Sequence, residues 1–371
     1  MISVIALIVA AVIPLVFLYG VNWLDFYRTG NIRFILLSGA WGIIAYYLAA
    51  RINPALIAHA IVSRDTLVRF VAPLIEETLK GLILIYLVRQ VNFKYFVDGA
   101  IYGFAAGIGF AIFENFEYVL GHSSIALTLA ISRVLSTNLI HATGSALIGI
   151  SLGLARFDRS RLRRALYLLG GIGLAYAVHS GFNNMVNDGA ALLFAFAAGF
   201  AGTGIIALAV KRGLKEEGTW IREKLGMDDG VTNNEAAIVH RLDKLDHLLA
   251  PLAEKFGDKK ASQSEQFLIM QAQLGIQRKM LDKLQDEKMR TAVEAQMADL
   301  RKNMDAIRRE VGTYCMLYLR NIFPENDTAL QTLVQQRITA SAAANKGGAG
   351  TGLWDKLGDR TKQRSAPEKS E

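Results

Sequence analysis

Cysteine, proline and, over the first half of the chain, charge are scarce in this sequence. The one cysteine, Cys315, can make neither an internal disulfide nor a cysteine-rich metal site, and it lies in a polar C-terminal part where a reduced, cytoplasmic setting is expected. Of the 41 Lys+Arg and 33 Asp+Glu, 27 and 24 fall in residues 211–371, so the apolar runs before them are nearly free of charge. The first of these, Ile2 to Tyr19, lacks a positive leading region and a small-residue cleavage pattern, which favours a retained membrane span over a signal peptide. A net charge of +8 could suit nucleic acid in a soluble chain. Here the positives sit in loops flanking apolar runs, where they act as topology determinants, and nucleic-acid binding is set aside.

What is present is apolar: 52% of residues are hydrophobic and mean hydropathy is +0.27. Seven runs approach the roughly 20 residues that a helix needs to cross about 30 Å of hydrocarbon. They are Ile2–Tyr19, Phe34–Ala50, Phe70–Val88, Phe96–Leu120, Leu129–Ala155, Ala165–Val186 and Ala190–Val210. The expected fold is an all-α polytopic membrane protein of about seven transmembrane helices, followed by a helical, amphipathic cytoplasmic region. Arg156, Arg159, Arg161, Arg163 and Arg164 crowd one loop, and Lys211, Arg212 and Lys215 follow the last span. Positive loops stay in the cytoplasm. The expectation is therefore a multi-pass protein of the cell (inner) membrane, with its N-terminus outside and C-terminus cytoplasmic. The loop Arg51–Arg69 is the exception: it falls outside despite three arginines, and its Asn53-Pro54 suggests an interfacial or re-entrant piece.

Beyond Lys211 the period becomes that of amphipathic helix. Ile238, Leu242, Leu245, Leu248, Leu249 and Leu252 recur at threes and fours, as do Phe267, Met270, Leu274, Met280, Leu281 and Leu284 within a stretch from about Gln263 to Gln336. The expected domains are residues 1–212 in the membrane, a cytoplasmic helical region over 213–340, and a disordered tail over 341–371. The amphipathic faces of residues 236–336 suit a homo-oligomer or a cytoplasmic partner.

Ionisable groups inside spans are expensive, about 2.5–3.5 kcal/mol at a helix centre on insertion scales, so each requires a reason. Span three carries Glu76, Glu77 and Lys80, span four Glu114 and Asn115, span five Asn138 and His141, and span six His179 with Asn183 one turn later. Glu76 and Lys80, four apart on one face, are expected to pair. Counted from the outer span ends, the acidic groups and His179 lie at a similar depth, roughly 10 Å into the membrane at 1.5 Å per residue, with His141 slightly deeper. Unrelated polar positions would scatter. A buried carboxylate among like charges can act as general base toward water. Glutamate and histidine can also hold a divalent metal such as zinc, and an amide such as Asn183 can donate to an oxyanion. Hydrolysis of a peptide bond within the membrane needs these groups.

The pattern Glu76-Glu77-x-x-Lys80, Phe110-x-x-x-Glu114-Asn115, His141 in the next span, and His179-x-x-x-Asn183 resembles the PrsW family of intramembrane proteases, in the wider group of CAAX-type proteases and APH-1-like proteins. CAAX-type prenyl-protein proteases would have histidine where Glu114 stands, which favours the PrsW type. The resemblance covers spans three to six and says nothing of the C-terminal region. It implies an intramembrane endopeptidase of glutamic or metallo type, cutting a membrane-protein substrate near the extracytoplasmic face, as in regulated cleavage of an anti-sigma factor. It implies Glu76 and Glu77 as catalytic base and partner, His179 as essential, and Glu114 and His141 as further site residues. Asn183 is expected beside His179, with Lys80, Asn115 and Asn138 in support. Glu76, His141 and His179 are the candidate ligands for Zn2+.

Plainer readings stand beside these. Glu76 and Glu77 could form only an ion-pair network with Lys80, although one lysine does not offset two or three carboxylates. Glu114 and His141 could be interhelical hydrogen bonders, and His179 with Asn183 a packing pair. Arg133 and Glu117 are expected to snorkel at the outer interface, and His59, His122, His240 and His247 to meet solvent. The glycines of Gly99–Gly109 and Gly170-Gly171-x-Gly173 suit close helix packing. An ion- or proton-coupled transporter is the alternative function, against which stands the lack of an internal repeat relating two halves. A non-catalytic APH-1-like scaffold is a third.

Overall fold

The computed structural model describes residues 2–25, 27–28, 30–187, 192–224, 239, 245–284 and 286–320. The chain forms two compact units, residues 1–225 with 269–301, and residues 226–268 with 302–371. Among the described residues all regular structure is helical. Six helical stretches are long and apolar enough to cross a membrane: Ile2–Trp23, Ile32–Ala58, Phe96–Gly121, Ser123–Phe157, Arg161–Asn187 and Leu192–Ile221. The protein is an all-α polytopic membrane protein, as its hydropathy predicts.

In chain order the first unit holds α1 (Ile2–Trp23), α2 (Ile32–Ala58), α3 (Arg64–Thr66), a π turn (Leu67–Val71), α4 (Ala72–Leu87), α5 (Phe96–Gly121), α6 (Ala126–Val134), α7 (Thr137–Phe157), α8 (Arg161–Asn187) and α9 (Leu192–Lys224). The helix expected as the third span differs from the other six. Its α-helical part is 16 residues, about 24 Å at 1.5 Å per residue, and its buried face carries Glu76, Glu77 and Lys80 between Pro73 and the apolar Ile83, Leu84 and Leu87. Sequence reasoning put Asn53-Pro54 in a loop. Instead α2 runs through Pro54 to Ala58 and leaves only a short connection to α3. Expected span five is also broken: α6 ends at Val134, and α7 restarts at Thr137. The buried side of α6, Ala126 and Ala130, packs on Ala6 and Ala10 of α1.

Helix α5 is the axis, buried along most of its length. Its glycines Gly99, Gly103 and Gly107 face α7, where an added Cβ would lie 2.1 Å from the Gly149 carbonyl oxygen, 2.2 Å from that of Ser145 and 2.4 Å from that of His141. Each step of one turn along α5 is matched by one turn back along α7, so the two run antiparallel with their backbones in contact. This is the small-residue interface that membrane helices use where no hydrophobic drive separates them from lipid. A second small face meets α2: a Cβ at Gly42 would lie 2.1 Å from Ala106 O, and one at Gly109 2.1 Å from Gly39 O. Of the second glycine group, only Gly171 packs, against Ser151; Gly170 and Gly173 face open space.

The rest of the first unit is polar. Helix α9 continues past Lys211 to Lys224, and parts of α11 (Asp258–Lys283) and α12 (Glu287–Val311) join it. Lys279 pairs with Glu223 at 2.7 Å, Lys283 lies 4.0 Å over the Trp220 ring, and Gln296 donates to Asn92 at 2.7 Å. Burial pushes the Lys283 ammonium below its ordinary range. The second unit contains α10 (Leu245–Phe256) and α13 (Thr313–Arg320), with Gln263 donating to Glu310 at 2.7 Å and Lys255 4.6 Å over the Tyr318 ring. Gly257 and Gly312 end α10 and α12 at φ +86 and +87, the left-handed conformation that glycine adopts without steric penalty. Ile238, His240, Leu242 and the tail expected over 341–371 lie outside the described residues.

Candidate active site

Four helices bring their buried polar groups to one place. From α4, Glu77 accepts from Lys80 Nζ at 2.7 Å and from His179 Nδ1 of α8 at 2.9 Å on the same oxygen, Oε1. Lys80 thus pairs with Glu77, three residues before it, rather than with Glu76 as the i,i+4 spacing predicts. Its ammonium also donates to His141 Nδ1 of α7 at 3.0 Å. Lysine has no acceptor, so His141 carries its proton on Nε2, which donates to Glu114 Oε2 of α5 at 2.8 Å. His179 donates from Nδ1 to the Glu77 carboxylate and turns Nε2 toward Glu76 Oε2, 3.8 Å away. The two imidazoles meet edge to face, centroids 4.6 Å apart.

Two residues join this set that sequence reasoning put elsewhere. Arg133 of α6, expected to snorkel, donates through Nη2 to Glu114 Oε2 at 2.6 Å and through Nε to Asn115 Oδ1 at 2.8 Å, with its guanidinium 3.8 Å over the Tyr118 ring. Asn53 of α2, expected in an outer loop, donates to Glu76 Oε1 at 3.3 Å. The signal that could have found Arg133 is its place five residues before Asn138, where the buried stretch of α7 begins and a charge already requires a partner. Asn115 in turn donates to Asn138 Oδ1 at 3.5 Å, at the limit of a hydrogen bond. Asn183 is not brought to the cluster; its amide donates to the Val68 carbonyl at 2.9 Å. Glu117 is exposed and accepts from Tyr46 Oη at 2.6 Å.

The donor set can hold a cation. Among the described residues, Glu76, His141 and His179 form a group whose ligand atoms all lie within 4.8 Å of one another, all three residues buried. Two observations mark the site as built for charge. Glu77 Oε2 is buried without a hydrogen-bond partner. A Cβ on Gly144 of α7 would lie 2.9 Å from that oxygen, so the missing side chain makes the carboxylate's room. His179 has the arrangement of a metal-binding histidine, one nitrogen fixed by a carboxylate and the other free. His141 would give up one of its two present bonds to do the same.

A family profile described as PrsW family intramembrane metalloprotease matches residues 30–211. Curated relatives that match the chain are each named Protease PrsW. The one from Clostridioides difficile is 30% identical over 115 residues, which is 30% of this chain and 48% of the relative, so the chain spans about half of it. The one from Bacillus subtilis is 29% identical over 161 residues, 43% of this chain and 72% of the relative. The one from Geobacillus kaustophilus is 30% identical over 165 residues, 44% of this chain and 72% of the relative. The chain belongs to the PrsW family. The resemblance read from the sequence is thereby borne out, and with it a peptidase at the level of the family, whose description specifies a metalloprotease. No solved structure matches the chain. The PrsW match contains Asn53, Arg133 and every member of the buried cluster, while α1 and the helices after residue 211 lie beyond it.

Proposed function

We propose that this PrsW-family protein is an intramembrane endopeptidase that cuts a membrane-protein substrate near the extracytoplasmic face, an anti-sigma-factor-like protein being the type of substrate its family resemblance implies. The observation that carries the reading is the set Glu77, Lys80, Glu114, His141 and His179, drawn from four helices and joined by hydrogen bonds of 2.7–3.0 Å, with Glu76 3.8 Å from His179. Glu77 Oε2 is buried without a partner, and Glu76 Oε2 stands 3.8 Å from His179 Nε2. That gap suits one shared water. In this reading Glu76 takes the proton of that water, and Glu77 holds His179 in the tautomer that faces it. Lys80 fixes Glu77 and His141 together, and Glu114, neutralised by Arg133, orients His141 from its other nitrogen. In the metal form of the site Glu76, His141 and His179 would hold Zn2+, with Glu76 a ligand in place of its role as base, and the bound ion would supply Lewis acidity toward a carbonyl and toward water.

The site is reached from within the cell membrane, with the N-terminus outside and the arginine-rich α7–α8 connection in the cytoplasm. The test compares the N-termini of membrane proteins in cells carrying the wild type and cells carrying Glu76→Gln at equal expression. New termini just outside a span, present with the wild type and missing with both Glu76→Gln and His179→Ala, are expected. Termini that persist unchanged in both variants would remove the cluster from the reaction.

A further inference from the structure

The π turn before α4 has a backbone account that points to function. In an α-helix the Ala72 amide would serve the Val68 carbonyl, but here it donates to Leu67 O, five residues back. The amide that would serve the Arg69 carbonyl belongs to residue 73, which is proline and has none. Two adjacent carbonyls of this half-buried turn are therefore left without helical donors, and away from water each such group is costly if unmet. Helix α8 meets both. Asn183 Nδ2 donates to Val68 O at 2.9 Å, and Ser180 Oγ donates to Arg69 O at 2.6 Å. Arg69 Nη1 closes the joint by donating to Asn184 Oδ1 at 3.2 Å.

The location gives the joint its meaning. Pro73 stands one helical turn before Glu76 and Glu77, and Ser180 follows His179 directly. One turn of α8 thus presents His179 to the carboxylates and grips the broken turn that carries them. We propose that Ser180 and Asn183 are positioning residues: they lock the Leu67–Val71 joint to α8 and so set the separation of Glu76 from His179. An oxyanion role for Asn183 is not needed, since its amide is engaged. π turns recur at functional sites because the extra residue re-aims the helix that follows. Here the re-aimed residues are the acidic pair. The inference rests on the proposed site but not on its catalysis.

The experiment uses the full chain in nanodiscs, with Zn2+ as the probe and hydrogen exchange of residues 64–78 as the second readout. Ser180→Ala with Asn183→Ala is expected to weaken Zn2+ binding about tenfold, the low end for lost orienting partners, and to speed exchange in that segment while α5 and α7 stay protected. Pro73→Ala restores the missing amide to Arg69 O, and is expected to recover most of what Ser180→Ala loses. Ser180→Thr, which keeps the hydroxyl, is expected to match the wild type. Unchanged Zn2+ affinity and exchange in the double variant would overturn the proposal, as would an equal loss in the Pro73→Ala background. A wild type that binds Zn2+ and passes these tests while cleaving nothing would sink the peptidase reading and leave the joint standing.

Discussion

At the scale of single residues, Arg133 and Glu114 show how a buried charge fixes a neighbour's chemistry. Their side chains are 11% and 18% exposed and meet at 2.6 Å, so removing one leaves the other poorly solvated. Full burial of an orphaned partner costs about 3–5 kcal/mol; with this residual exposure Arg133→Gln is expected to destabilise by roughly 2 kcal/mol. Glu114→Gln in the same chain should recover most of it, because an amide can still accept from His141 without an uncompensated charge. Unfolding of the purified protein by SDS in mixed micelles measures both, and equal stability of Arg133→Gln and wild type would put the pair among the inconsequential surface contacts. This pair also marks where the sequence stops being legible. Glu76, Glu77, Glu114, His141 and His179 stood out because each is costly in an apolar run, and the structure gathers all five. Arg133 and Asn53 escaped because each lies near the end of an apolar run, where solvent is an equally good partner on paper. The Glu77–Lys80 bond escaped because i,i+3 and i,i+4 pairs are equally open on a helix face, and only the position of His141 decides between them.

Elements were legible wherever hydropathy alone sets them. The apolar runs predicted α1, α2, α5, α8 and the first part of α9, but not how α2 passes Pro54 or where α6 ends. Proline stops helices in water, whereas in a membrane the neighbours re-satisfy the freed backbone. The glycines required the structure too, since spacing cannot tell a packed face from one open to lipid. Substitution separates them. Gly103→Val places a Cβ where 2.2 Å now separates that position from Ser145 O, a backbone atom that cannot step aside. Overpacking of this kind costs about 1–3 kcal/mol or more. Gly173→Ala in α8 meets nothing within 4 Å and is expected to be neutral or mildly stabilising, as alanine is the better helix former. The same micelle unfolding distinguishes them, and a tolerated Gly103→Val would mean that α5 and α7 are not held at backbone contact. Because Gly107 abuts the His141 carbonyl, the same interface sets the height of His141 against Phe110, whose ring centroid is 5.0 Å from the imidazole.

On the scale of the whole molecule, the candidate site ties together helices that are far apart in sequence. Glu76, His141 and His179 belong to α4, α7 and α8, so a cation held by them binds the assembled bundle and not its separated parts. Anything that binds only the folded state stabilises it by RT ln(1 + [L]/Kd), about 2.7 kcal/mol when free ligand is 100 times Kd. Stripping metal with a chelator is therefore expected to lower the thermal midpoint of the detergent-solubilised protein, and Zn2+ to restore it. Glu76→Gln and His179→Ala should hold the stripped midpoint whether or not Zn2+ is added. Mg2+ is expected to do little, since it favours an all-oxygen octahedral shell that two imidazoles do not provide. Zn2+ that raises the midpoints of wild type and both variants alike would be acting elsewhere on the chain. The cluster would then be a glutamate and histidine network that works through its own proton-transfer groups.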